Sequence, residues 1–147
     1  MYLVPGTLYL VPGTQNSYLC IMCLKSLYTI REFSEAEGEF SAIIAFNPAH
    51  EIFSGHFPGQ PIVPGVCLIQ IIKEIAHMIS DKELLLTEGR NIKFLHVIDP
   101  QIHPEVKIAG SYKSNESEIL IINASLTKDE LVFFKFKGLF NNETMEQ

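Results

Sequence analysis

The pattern of apolar and polar positions divides the chain into two strands, one long helix and four more strands. Leu24 to Ile30 reads as a short strand, and Glu35 to Glu39 as an acidic connection around Gly38. Glu39 to Phe46 partly alternates and is rich in β-favouring residues, so it is a second strand. Asn47-Pro48 signals a turn, and Ala49 to Gly65 follows as a long loop without periodicity. From Val66 to Ile79 apolar residues cover most of a helical circumference. A run of about fourteen residues is long for a strand, so the spacing predicts a largely buried helix. Its polar residues, Gln70, Lys73, Glu74 and His77, recur every three or four positions and share one face.

Ser80 to Gly89 reads as a polar connection holding the run Leu84 to Leu86. Strands are expected at Asn91 to Ile98, Glu105 to Lys113, Glu118 to Leu126 and Leu131 to Phe140. Turn signals at Asp99-Pro100, Ser114-Asn115 and Lys128-Asp129 separate them. This order predicts an α+β fold, a long antiparallel sheet with one helix packed on a face. A helix apolar nearly all round needs more cover than one flat sheet gives, so the sheet must curl or a second subunit must help.

Before that pattern begins, Tyr2 to Thr7 recurs as Tyr9 to Thr14. Two copies do not make a repeat architecture, and the Pro-Gly pairs break any helix there. Residues 1–21 are expected to lie outside the domain, with the domain at 22–141 and a polar tail at 142–147. Cys20 and Cys23 have C-x-x-C spacing, but no second pair completes a zinc set, so chance spacing is the preferred reading. Cys67 falls in the helix as a small buried residue.

Composition then narrows the classes. The 147 residues suit one domain, and 47 % apolar content is ample for a core. A net charge of −6 argues against nucleic acid, and no apolar run is long enough to span a membrane. Nothing demands an oxidising compartment, so the cytoplasm is the default location.

Candidate chemistry centres on the start of the helix. The stretch from His56 to Val66 holds three prolines and two glycines between Pro58 and Gly65, so few backbone shapes are open to it. A helix start offers free N–H groups and the positive dipole end, and Gly65 lets a ligand come close. Such a place can polarise a carbonyl and hold an enolate-like oxygen. His56 would be a general base near neutral pH, which suits proton abstraction beside a thioester. From spacing alone, an ordinary loop histidine satisfied by backbone groups is the favoured reading. His50, His77, His96 and His103 are weaker candidates still, and no ligand cluster for a metal is evident.

His56-Phe-Pro-Gly59, followed by Pro61-Ile-Val-Pro-Gly-Val66 and a helix, closely resembles the bacterial 3-hydroxyacyl-acyl-carrier-protein dehydratases of the hotdog fold. The approach, Asn47-Pro48 through Phe53 and Gly55, and the later Asn91-Ile-Lys-Phe94 before a proline turn, resemble the same family. The resemblance implies a curved antiparallel sheet wrapped around one central helix. It implies homodimers, or larger assemblies of dimers, with two active sites at the interface. It gives His56 the α-proton, places the thioester carbonyl on the N–H of Gly65 or Val66, and puts Phe57 among the substrate-binding residues. No cofactor or metal is implied. The partner is an acyl carrier protein bearing a 3-hydroxyacyl chain.

The family's helix carboxylate should fall fourteen residues after the histidine, where this chain has Gln70. Glutamine hydrogen-bonds but neither gives nor takes a proton at neutral pH. Losing a general acid typically costs about 10²–10⁴-fold in rate. Glu74, one turn further on the same face, is a candidate substitute acid, about 5.4 Å along the axis. The simpler reading pairs Glu74 with Lys73, His77 or a basic group elsewhere. A third route is a heterodimer in which a related dehydratase completes the site. Three functions therefore stand: a dehydratase forming trans-2-enoyl thioesters, a non-catalytic or heterodimer-dependent acyl-binding subunit, and, less favoured, a hotdog thioesterase. An acidic carrier would need a local basic patch, for which Lys73, Arg90, Lys93, Lys135 and Lys137 are the candidates.

Overall fold

The computed structural model describes residues 26–55 and 59–142. Residues 1–25, with the expected N-terminal extension and the Cys20/Cys23 pair, lie outside the described residues, as do 56–58 and 143–147. Six strands form one antiparallel sheet: β1 (Tyr28–Ala36), β2 (Glu39–Phe46), β3 (Leu84–Phe94), β4 (Glu105–Ser114), β5 (Leu120–Lys128) and β6 (Leu131–Asn142). Their spatial order is β1-β2-β4-β5-β6-β3, so β1 and β3 are the edges. Between β2 and β3 the chain makes a short helix, α1 (Ile52–Gly55), and the long α2 (Gly65–Ser80).

The sheet buries one face against α2. Phe40, Ala42, Ile44 and Phe46 of β2, Val106 and Ile108 of β4, and Leu120, Ile122, Ala124 and Leu126 of β5 alternate into the core. From β6 come Phe134, Phe136 and Phe140, whose rings form a contiguous row with centroids 6.3 and 6.0 Å apart. The helix contributes Cys67, Leu68, Ile71, Ile72, Ile75 and Ala76, all buried. One sheet and one central helix make the hotdog arrangement.

Several boundaries differ from the pattern-based expectation. Among the described residues β1 runs from Tyr28 to Ala36, six residues past the expected end at Ile30, and this second half escapes the pattern because it is polar and exposed at the sheet edge. The hairpin turn is Glu37-Gly38, with φ of 54° and 82°, the left-handed pair of a tight two-residue turn. β3 starts at Leu84 and ends at Phe94, so the expected polar connection before Gly89 is largely strand. Register shifts between Leu86 and Glu88 and between Gly89 and Asn91 break its alternation and hide it from a two-residue period. β5 begins two residues later than expected, at Leu120, and β6 continues through Asn142, the first residue of the expected tail. α1 stands inside the expected loop.

Candidate active site

The chain reaches α2 through a tethered turn. Gly59 has φ of 82°, which only glycine adopts without strain. The Val63 N–H donates to Ile98 O at 2.9 Å, fixing the loop to the segment after β3. Pro64 is the helix N-cap, with φ −64° and ψ 146°, and no side chain caps this end. The Cys67 N–H donates to Pro64 O at 3.0 Å, and the N–H groups of Gly65 and Val66 meet no acceptor among the described residues. Space at Gly65 is tight. A Cβ there would lie 2.8 Å from the Phe94 ring, which also stacks on Phe134 at 5.0 Å. A β3 aromatic thus lies against the start of the helix.

Val66, Gln70 and Glu74 follow at four-residue intervals along one stripe of α2. Gln70 is half-buried, and its Nε2 is fully buried with no hydrogen-bond partner among the described residues. Glu74 is only 7 % exposed. Burial pushes its carboxyl up to about 7, opposed by a hydrogen bond from Tyr28. The Tyr28 hydroxyl donates to Glu74 Oε1 at 3.3 Å from the start of β1. A tyrosine from the sheet edge is thus a hydrogen-bond partner of this acid. His56 and Phe57 lie outside the described residues.

The remaining histidines are engaged in the fold. His50 is buried, and its Nδ1 accepts the Ile52 N–H at 3.0 Å, holding the approach to α1. His77 Nε2 accepts the Leu84 N–H at 3.1 Å, joining the end of α2 to β3. His96 is exposed, with Nδ1 3.0 Å from Val132 O, while the His103 ring lies edge-on to Phe133. Among the described residues no group of three or more His, Cys, Asp or Glu could hold a metal ion.

Two surface features lie beside this stripe. Val66, Phe94, Leu95, Val97 and Ile102 are large apolar residues exposed by 45 % to 68 % near the β3 edge. On the outer face of the sheet, Lys93 sits directly across from Lys135, and Lys137 lies one alternation along β6. None of these three is in an ion pair among the described residues, whereas Arg90 pairs with Glu88. Lys135 and Lys137 edge a shallow depression of about 910 Å³ whose floor includes Ser41, Ser111, Asn123 and Ser125. Lys73, half-buried on the helix, is not part of that patch.

A buried central helix with an open, glycine-marked start, wrapped by this sheet, defines the hotdog class. Solved structures share the fold. The dehydratase heterocomplex ApeI:P from Xenorhabdus doucetiae aligns with TM-score 0.56 at 20 % identity, over 78 % of this chain and 98 % of that one. Cj0977, a sigma28-regulated virulence protein from Campylobacter jejuni, aligns with TM-score 0.61 at 9 % identity, over 84 % and 88 %. The family model described as ApeI dehydratase matches residues 32–132, and the chain belongs to this ApeI-like dehydratase family. It is also 34 % identical over 88 residues to the 3-hydroxyacyl-acyl-carrier-protein dehydratase FabZ of Caulobacter vibrioides, covering 59 % of this chain and 50 % of that relative. The chain thus spans about half the length of these curated relatives.

Tyr28 is the contact to the candidate acid that sequence reasoning missed. It lies 46 positions from Glu74, and no local period links a strand start to the middle of a helix.

Proposed function

We propose that this chain catalyses dehydration of 3-hydroxyacyl thioesters carried on an acyl carrier protein, yielding trans-2-enoyl thioesters. The observation that carries the reading is the buried carboxyl of Glu74, half protonated near pH 7, one turn beyond Gln70 on the helix whose start is open. In this reading the thioester oxygen accepts from the N–H of Gly65 or Val66, where the helix dipole favours the developing negative charge. His56 takes the α-proton. The Cβ–O bond breaks, and the hydroxyl leaves as water with a proton from Glu74, while Gln70 Nε2 orients the hydroxyl. His56 then returns its proton to the acid, so the cycle balances without a cofactor.

The family membership and the names of the relatives support this class of reaction. Phe57 is assigned to the substrate-binding set through its place in the motif. The exposed apolar residues along the β3 edge suit a second protomer, since a free edge strand is a template for pairing. Like charges opposed across strands, as at Lys93 and Lys135, are relieved by an anionic partner, which supports an acidic carrier docking on the outer face. No helix among the described residues is long and apolar enough to cross a membrane, and a cytoplasmic location fits this reading.

The test is hydration of an enoyl thioester followed by absorbance, with His56→Ala and Gln70→Glu beside the wild type. Loss of the activity in His56→Ala supports the reading, and activity unchanged by that substitution refutes it. A second reading rests on the unpartnered Gln70 amide: the chain contributes half of a mixed site completed by a dehydratase-like partner. Activity that appears only on mixing with such a partner favours it.

A further inference from the structure

Two of the three polar groups on this part of the molecule have roles above; the third, the Tyr28 hydroxyl, does not. It crosses from the sheet edge to α2 to meet Glu74 Oε1 at 3.3 Å. Tyr28 is held as a ladder residue, paired with Phe46 of β2. Gln70, one turn nearer the helix start on the same stripe, leaves its Nε2 without a partner among the described residues.

We propose that Tyr28 is the positioning residue for the acid: its hydroxyl anchors Glu74 Oε1 so that the remaining carboxyl oxygen is the one presented along the helix toward Gln70 and the substrate hydroxyl. The inference rests on the dehydratase reading for its catalytic consequence, but the anchoring itself can be measured without turnover. Tyr28 fixes one oxygen of a side chain that otherwise has free rotation about its last bonds. A hydrogen bond from a neutral donor also favours the charged carboxylate, opposing the burial that raises it. Other titratable groups nearby have other positions. Lys73 and His77 flank Glu74 on its own helix. Among inward-facing strand residues, Tyr112 of β4 spends its hydroxyl on Glu35. The remaining inward positions of β2, β4 and β5 are apolar around Ile44, Phe46, Val106, Ile108, Leu120 and Ile122.

The experiment is ¹³C NMR titration of the Glu74 side-chain carboxyl, assigned by its loss in Glu74→Gln, in wild type, Tyr28→Phe and Tyr28→Gln. The wild-type midpoint is expected near 7, and Tyr28→Phe should raise it because the bond that favours the charged form is gone. Tyr28→Gln, which keeps a donor and loses the ring, should bring the midpoint back toward wild type. In the hydration assay Tyr28→Phe should lower kcat by about ten-fold or more with KM little changed, and move the alkaline limb upward. A midpoint unchanged in both variants overturns the anchoring, whatever the activity. If Tyr28→Phe does not fold, Tyr28→Leu, which also lacks a donor, takes its place: a raised midpoint supports the anchoring and an unchanged one overturns it. A wild type inactive with enoyl thioesters, yet showing the shifted midpoint in Tyr28→Phe, sinks the dehydratase reading and leaves the anchor standing.

Discussion

At the scale of single residues, Glu74 carries the sharpest consequence. Its carboxyl is raised in the folded state from 4.5 to about 7, mainly by desolvation. The folded protein therefore binds this proton more tightly than the unfolded chain does. The contribution to stability is complete below the unfolded value, declines as pH rises through the window from about 4.5 to about 7, and is absent above it. A shift of this size corresponds to about 3 kcal/mol. Thermal melts should fall across that window in the wild type, and Glu74→Gln should flatten the fall and melt higher at pH 8. The same substitution should reduce dehydratase turnover by about 10²–10⁴-fold, read as kcat in the hydration assay. A variant more stable yet less active would separate the catalytic from the structural cost of burying an acid.

At the scale of elements, the sheet depends on residues chosen for lack of a side chain. Gly110 of β4 faces the core opposite Ala124, where a Cβ would lie 2.0 Å from Asn123 O. Backbone cannot move aside as a side-chain tip can, so Gly110→Ala should cost about 3 kcal/mol or more, measured by denaturant unfolding. Gly65→Ala meets only the Phe94 ring, and Phe94 is 53 % exposed, so the ring can swing away. Its stability cost should be smaller, about 1 kcal/mol, with the larger effect on the helix start. The strand pattern was legible where the core alternates, as in β2, whose Glu39–Phe46 span matches the expectation. It was not legible in β3, where two register shifts interrupt the period, nor in the outer half of β1, which buries little.

At the scale of the whole molecule, two surfaces set the expected assembly. The exposed apolar residues in the segment after β3 include Val97 at 62 % exposure and Ile102 at 68 %. If this surface pairs two protomers as proposed, Val97→Asp should lower the sedimenting mass without lowering the melting temperature of the single-chain fold. On the outer face, Lys93 and Lys135 repel across the strands in a chain of net charge −6. Lys135→Glu should weaken carrier-protein binding at low salt, and the difference from wild type should shrink as ionic strength rises. Binding that ignores both charge and salt would reject that docking face.

The sequence by itself determined the buried helix, because its apolar residues wrap nearly the whole circumference, and it singled out the stretch from His56 to Val66 through its prolines and glycines. It also marked Gln70 as a departure from the resembling family. Tertiary structure alone decided what surrounds that helix. Phe94 comes to Gly65 from 29 positions away and Tyr28 to Glu74 from 46, by sheet curvature and strand order that no local period encodes. Whether a helix carboxylate sits charged in water or neutral in a core depends on the elements packed over it, and the sheet around α2 makes Glu74 the buried one.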